Sequence, residues 1–321
     1  MRRTERISRR IKLRHLNVLI AVVEQRSMVK AAERLGVSQP VVSKAIADLE
    51  NLVGVRLLDR GPQGVEPTVY GRALLKRSVS ILDDLRSSVD ELEFLAAPGA
   101  GELRIGSTEA MGTTLVPAVI DQLARRYPRI LFEVVLADPD TLLNRDLRGR
   151  RVDLIVGPFA PDADDDLDVT VLHRDRLHVV CGPASPWANR RKISLVDLVG
   201  ERWVLPPPTH PIGSLVVNAF RHECLQAPQT VVTVTSARFT TSLIAAGEFL
   251  GVLASAALND PYSPLRTLPV ELPMTTWPLS VAVLKGRTLG PMANLFLECA
   301  SELVRPLAKA AGRRRIRNWV A

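Results

Sequence analysis

In the N-terminal third of the chain, apolar positions recur on a helical period that breaks where the backbone has to turn. Between Leu13 and Gln25 the residues Leu16, Leu19, Ile20 and Val23 fall three and four apart, which predicts an amphipathic helix. Ser27 is placed to cap a second helix running to Leu35. Gly36 then supplies a turn, and Ser38 caps a third helix that ends near Gly54. Ala32 lets these two helices cross closely, and Leu35, Val37, Val42, Ala45 and Leu49 are expected to fill the angle between them. Outside that angle stand Gln39, Ser43 and Ala47 at i, i+4 spacing, with Pro40 and Lys44 beside them. The resulting face is polar, short-chained and basic.

Two short apolar runs, 55–58 and 65–69, flank Gly61-Pro62-Gln63-Gly64, the pattern of a hairpin. A hairpin behind a helix-turn-helix is a wing, and it places Arg56, Arg60 and Thr68 to meet phosphates or the minor groove. From Gly71 to Ala96, the residues Leu75, Ser78, Leu82, Leu85, Val89, Leu92 and Ala96 alternate steps of three and four. This is a heptad seam, with Arg77, Asp83, Asp84, Arg86, Asp90 and Glu91 outside it. The expected occupant of the seam is a second copy of the helix, with Leu75, Leu82, Leu85, Val89 and Leu92 as its dimerisation contacts; a helix packed on its own domain is the alternative. Pro98-Gly99-Ala100-Gly101 makes a hinge.

Beyond residue 101 the period changes. A strand over Leu103–Gly106, a helix over Leu115–Tyr127, a strand over Leu131–Leu136, a helix over Thr141–Gly149 and a strand over Asp153–Val156 form a βαβαβ unit with a parallel sheet. A second unit starts near residue 162. It has strands at 169–172, 177–181 and 231–234, a segment around 195–205, and helices over 212–224 and 240–249. A strand at 279–284 and a helix over 291–308 close the pattern. In open α/β sheets ligands bind beyond the carboxyl ends of the strands, so Ser107 and Thr108, which end the first strand and precede a helix, are candidates to hold a carboxylate or hydroxyl.

Charge supports a division of labour. The 321 residues carry a net +8, but residues 1–77 hold 16 Lys and Arg against 7 Asp and Glu, residues 305–321 hold 6 against none, and the stretch between is acidic. A basic unit containing a helix-turn-helix points to nucleic acid, because Lys and Arg release phosphate counterions. On that face, Ser38, Gln39, Pro40, Ser43 and Lys44 suit the major groove, where Gln pairs with adenine and Lys with guanine or phosphate. Enzyme readings find little support: there is no Gly-x-Ser-x-Gly, Walker A or His-Glu-x-x-His, and five His with three scattered Cys argue against a metal site. Cys181, Cys224 and Cys299 read as reduced core thiols, and no cofactor is expected. The N-terminus has charge but no following apolar run, and no later stretch reaches about 18 apolar residues, so a cytoplasmic, soluble protein with no membrane partner is expected.

The segments Ala31-Ala-Glu-Arg-Leu-Gly-Val-Ser-Gln-Pro-Val-Val-Ser-Lys-Ala-Ile-Ala-Asp-Leu-Glu50, Leu52-Val-Gly-Val-Arg-Leu-Leu-Asp-Arg60 and Pro67-Thr-x-x-Gly71, followed by the long helix, resemble the LysR-type transcriptional regulators. Within that family the similarity is to the branch of the galactose-binding-protein regulator and PcaQ. The resemblance implies an α+β multidomain chain: an N-terminal winged helix-turn-helix, a long coiled-coil linker helix and a C-terminal two-lobed α/β effector domain like type 2 periplasmic binding proteins. The expected divisions are a basic arm (1–12), the winged domain (13–71), the linker helix (72–98), the effector domain (99–305) and a basic tail (306–321). Lobe I is expected at about 99–161 and 266–305, lobe II at about 162–265. Thr209 matches where the family places effector contacts, and Phe159 and Ser236 are further candidates. Near Ala246–Ser255 the chain departs from the family's Gly-x-Gly and Leu-Pro pattern. The resemblance further implies a homodimer or homotetramer on double-stranded operator DNA. Its control would lie with a small-molecule effector, a small carboxylate and a sugar being the classes in view, and it would contact RNA polymerase if it activates. The alternative is a small-molecule binding protein or enzyme with an N-terminal helical assembly domain.

Overall fold

Leu13–Gln25 (α1), Met28–Leu35 (α2) and Gln39–Val53 (α3) form the three predicted helices. The computed structural model describes residues 10–61, 64–97, 99–161, 164–258, 264–273 and 276–310; most of the basic arm, the wing tip at Pro62-Gln63, the first hinge residue Pro98 and the end of the basic tail lie outside them. The chain divides after Leu92 into two compact units.

In the first unit the Ser27 hydroxyl accepts the Lys30 N–H at the start of α2, and Gly36 ends the helix in the left-handed region at φ 65°. Leu19 and Val22 of α1, Ala31 of α2, and Val42, Ile46 and Leu49 of α3 are fully buried in one core. Ile46 fills the angle that the sequence assigns in part to Val37. Val37 instead follows the left-handed Gly36 and stands 41% exposed, since the turn carries its side chain away from the face shared by Val42, Ile46 and Leu49. The hairpin forms from Leu58–Gly61 (β1) and Gly64–Pro67 (β2), paired antiparallel.

The long helix, Val69–Ala96 (α4), begins three residues before the expected boundary at 72. Gly71 is therefore inside its first turn, where a Cβ would sit 2.0 Å from the Leu57 carbonyl oxygen; the glycine allows that close approach. Within the first unit Leu75 and Leu82 are half-buried, whereas Ile81, Leu85, Val89 and Leu92 form an exposed apolar row along α4. Asp83, which the heptad reading leaves outside the seam, is buried and paired with Arg86 at 2.6 Å.

The second unit is a continuous sheet with helices packed on it. Its strands are Ala100–Ser107 (β3), Arg129–Leu136 (β4), Leu154–Gly157 (β5), Leu167–Cys181 (β6), Trp203–Leu205 (β7), Thr230–Thr233 (β8), Leu250–Ala254 (β9), Arg266–Thr267 (β10) and Thr276–Leu284 (β11). The order is β4-β3-β5-β11-β6-β9-β7-β8, with β10 beside β6. Strand β3 runs parallel to β4 and β5, β7 parallel to β8 and β9, and the two groups are joined by antiparallel β6 and β11. The helices are Glu109–Gly112 (α5), Leu115–Arg126 (α6), Pro139–Thr141 (α7, continued by a wider turn over Leu142–Leu147), Pro211–His222 (α8), Ala237–Ala246 (α9), Ser255–Leu258 (α10) and Pro291–Ala310 (α11).

The crossing strands differ from the sequence reading. It separates 169–172 from 177–181, but β6 is one strand of 15 residues whose first half pairs with Leu279–Leu284 and whose second half pairs with β9. The lobes therefore exchange the chain inside β6 and β11, near Asp175 and Trp277, rather than near residues 162 and 266; β10 still pairs with Val180 and Cys181 on the lobe II side. A strand that passes between two cores has no break in its apolar pattern to mark the passage. Two further differences are local: α9 ends at Ala246 rather than 249, and the stretch read only as a departure from the family pattern contains β9, buried at every position.

Each lobe has its own core. Lobe I packs Ile105, Val119 and Val281 with Phe296 of α11, and lobe II centres on Trp203 and Phe220, whose rings meet edge to face at 5.7 Å. Cys181 and Cys299 are buried as expected of core thiols, but Cys224, just beyond α8, is exposed at a left-handed φ of 58°. Among the described residues no helix is long and apolar enough to cross a membrane.

Candidate functional sites: a basic helix face and an interlobe cavity

The first site is built by the start of α3. Ser38 holds the cap position through its backbone, but its hydroxyl accepts no cap hydrogen bond. Gln39 and Pro40 occupy the first turn and are exposed, as is Lys44; Ser43 is half-buried. The Gln39 amide Nε2 donates to the Ser43 hydroxyl at 3.3 Å, so the two polar side chains lie together on the outer face at i, i+4. The N-terminus of α3 adds its partial positive charge to the same place.

Behind this face, Glu50 has a structural role that the sequence reading missed. Its Oε1 accepts the N–H groups of Leu57 and Leu58 at 2.7 and 3.2 Å, tying α3 to the start of the wing. The Val65 N–H donates to the Arg26 carbonyl at 3.0 Å and fixes the returning strand. Arg56 and Arg60 are exposed at the wing. Thr68 is not: its hydroxyl donates to the Arg56 carbonyl at 2.8 Å and accepts the Gly71 N–H at 3.0 Å, so it caps α4. A Pro-Thr-x-x-Gly stretch reads equally as a loop donor or as a helix start, and only the partner atoms distinguish them.

The second site lies between the lobes of the second unit, a cavity of about 430 Å³ where the two lobes share β6 and β11. Of the five predicted effector contacts, Thr108 and Ser236 line it, from opposite lobes. The other three do not. Ser107 is fully buried and its hydroxyl donates to the Thr108 carbonyl at 3.0 Å, because the last residue of a central strand points into the sheet's own core. Phe159 is a core side chain beside Leu142 and Leu167, with its N–H donating to the buried Ser280 hydroxyl at 3.0 Å. Thr209 is exposed, and the lining position belongs to its neighbour His210.

The cavity wall brings together residues remote in sequence. Ala110, Met111, Leu136, Val252, Leu253 and Trp277 make it predominantly apolar. Glu109, Asp138 and Asp175 are its acidic members. Ser236 caps α9 by accepting the Phe239 N–H at 3.1 Å, and its hydroxyl donates across the cleft to Glu109 Oε1 at 3.2 Å. Glu109 Oε2 accepts the Arg238 N–H at 3.5 Å, so a lobe I carboxylate sits on the N-terminus of a lobe II helix. The Asp138 carboxyl is held below the ordinary carboxylate range by hydrogen bonds from the Thr141 hydroxyl and amide. His210 caps α8: its Nδ1 accepts the Ile212 N–H, which leaves the ring proton on Nε2, and burial lowers its pKa below the ordinary value. Among the described residues no group of three or more His, Cys, Asp and Glu is arranged to hold a metal ion.

Comparison with known proteins covers both sites. The family described as "Bacterial regulatory helix-turn-helix protein, lysR family" matches residues 13–72, and "LysR substrate binding domain" matches residues 96–305. The chain is 31% identical to the HTH-type transcriptional regulator GbpR of Azospirillum brasilense over 90% of its own length and 85% of the relative's. It is 27% identical to the HTH-type transcriptional regulator PcaQ of Agrobacterium fabrum, over 86% and 90%. A solved structure of full-length CbnR complexed with its target DNA has a similar fold, with a TM-score of 0.65, 21% identity, and coverage of 91% of this chain and 99% of that one. A full-length OxyR variant of Pseudomonas aeruginosa has a similar fold at a TM-score of 0.67, with 22% identity over 92% and 95%.

Proposed function

Since this chain belongs to the LysR family of transcriptional regulators and is a DNA-binding regulator with an effector-binding domain, not an enzyme, we propose that α3 reads operator DNA in the major groove. Gln39, Ser43 and Lys44 face the base edges, Ser38 and Pro40 lie at the phosphate, and Arg56 and Arg60 of the wing meet the backbone alongside. The observation that carries this is the outward-facing pair of exposed Gln39 and half-buried Ser43 at the N-terminus of a helix whose inner face is fully buried at Val42, Ile46 and Leu49. A bidentate Gln–adenine contact discriminates by about 1 to 3 kcal/mol. Gln39→Ala is therefore expected to weaken binding to the DNA adjacent to its own gene by that amount in a gel shift, with non-specific binding little changed. Equal loss on specific and random DNA would remove Gln39 from base reading.

Two copies present two such helices. The exposed row Ile81, Leu85, Val89 and Leu92 on α4 supports pairing of this helix with its counterpart, which sets the spacing of two half-sites. A dimer or tetramer built on that contact holds an interrupted palindrome. The effector enters the interlobe cavity between Thr108 and Ser236, changes the relation of the lobes, and through it the way the assembly holds DNA. If occupancy activates transcription, RNA polymerase is the protein partner.

A further inference from the structure

The cavity's charge has one sign. Glu109 enters from the short helix after β3, Asp138 precedes α7, and Asp175, only 5% exposed, stands on the crossing strand β6. No lysine or arginine is among the described residues that line it, and Arg238, which gives its backbone N–H to Glu109, is exposed. The imidazole on this wall, His210, is pushed toward its neutral form by burial.

An anionic ligand in such a cleft would ordinarily look for a helix N-terminus. Two long helices start at this wall: the N-terminus of α9 already holds the Glu109 carboxylate, bonded to Ser236 and to the Arg238 N–H, and at the start of α8 the Ile212 N–H is taken by the His210 ring. A ligand carboxylate would have to evict Glu109 and then face Asp175 on the buried side of the wall and Asp138 at its solvent-exposed rim, with no cationic side chain among the described residues of the wall to offset them. A sugar would find hydroxyl partners at Thr108, Ser236 and the carboxylates, but its remaining hydroxyls would face Met111, Leu136 and Val252, which offer none. The remaining chemistry satisfies both features of the wall. Resting on the reading that the effector occupies this cavity, we propose that it is an organic cation, an apolar ring-bearing body carrying a protonated amine. The ring packs against Trp277 and the aliphatic wall, and the ammonium lies toward the carboxylates. This departs from the small carboxylate or sugar expected from the sequence.

Three probes that share one ring and differ in head-group charge test it on the full chain by titration calorimetry: tryptamine, tryptophol and indole-3-acetate. Tryptamine is expected to bind tightest and indole-3-acetate weakest, roughly tenfold or more apart. Glu109→Gln and Asp138→Asn, which each keep one acceptor oxygen and remove one charge, should each narrow that ratio severalfold. Ala137→Trp, which fills the cavity, should abolish binding of the amine. Indole-3-acetate binding as tightly as tryptamine, and lost in Ala137→Trp, overturns the charge assignment and leaves the cavity as the effector site. Tryptamine binding untouched by Ala137→Trp overturns the cavity reading itself. No binding of any probe at millimolar concentration also overturns the proposal, as does a ratio unchanged in both charge-removing variants.

Discussion

Replacing Glu109 by alanine should loosen the two lobes from one another. The substitution removes the acceptor for the Ser236 hydroxyl at 3.2 Å and for the Arg238 N–H at 3.5 Å, together with a negative charge at the N-terminus of α9. Hydrogen bonds to a charged group contribute about 1.5 to 3 kcal/mol at good geometry. Both of these are long, so the pair belongs near the bottom of that range. A charge on a helix end adds about 0.3 to 1 kcal/mol. The sum is about 2 kcal/mol, a bias of roughly thirtyfold toward the separated lobes. Ser236 keeps its bond from the Phe239 N–H, so α9 itself should stay folded. Amide hydrogen exchange is the direct readout: the Arg238 N–H should exchange faster by about that factor, while the buried strand β9 is unchanged. Glu109→Gln should show a smaller effect, since it loses the charge and keeps an acceptor. Unaltered Arg238 exchange in Glu109→Ala would refute the reasoning, and so would equal acceleration across the whole lobe, which would mean that Glu109 serves global stability.

The long helix offers a second test: Leu85→Glu with Leu92→Glu, at positions 45% and 65% exposed, should yield monomers in sedimentation that keep the far-ultraviolet circular dichroism of the folded chain, and intact dimers would exclude this row from the contact. A third concerns pH. His15 is buried in the first unit, and desolvation, followed by the Arg14 charge, lowers its pKa from 6.5. The unfolded chain then takes up the proton more readily, so the stability His15 contributes is present above its unfolded pKa and is lost as pH falls through and below about 6.5. Comparing the melting temperature of the full chain with that of His15→Gln across this range should show the wild type falling more steeply; parallel curves would contradict it.

Elements set by local pattern were legible before any coordinates. The helix-turn-helix and its exposed face follow from a 3.6-residue period, a glycine where φ must be positive, and polar residues left over at i, i+4. Charge separation between the ends and the middle pointed to the basic unit's partner for the same reason, since it needs only counting. The β6 crossing was not legible, because a strand shared by two cores carries one unbroken apolar pattern. Val37 was misplaced because the direction of a side chain after a left-handed glycine depends on the angle of the turn.

The cavity shows the division most clearly. Sequence reading locates strand ends facing helices and so reaches Thr108 and Ser236, but it also gives Ser107, Phe159 and Thr209, each one position from a lining residue. In a strand or a tight loop a shift of one residue reverses the side chain, from cleft to core or from cleft to solvent. Glu109, Asp138, Asp175 and Trp277 come from four segments with nothing in common along the chain, and no spacing relates them. What the sequence by itself determined is the order of most elements and the polar outer face at the start of α3; on α4 the heptad pattern marked Leu85, Val89 and Leu92 but not the exposed Ile81. The tertiary structure alone decided which side chains share the space between the lobes and what sign of charge they present, because that depends on where distant strands end once β6 and β11 have brought them together.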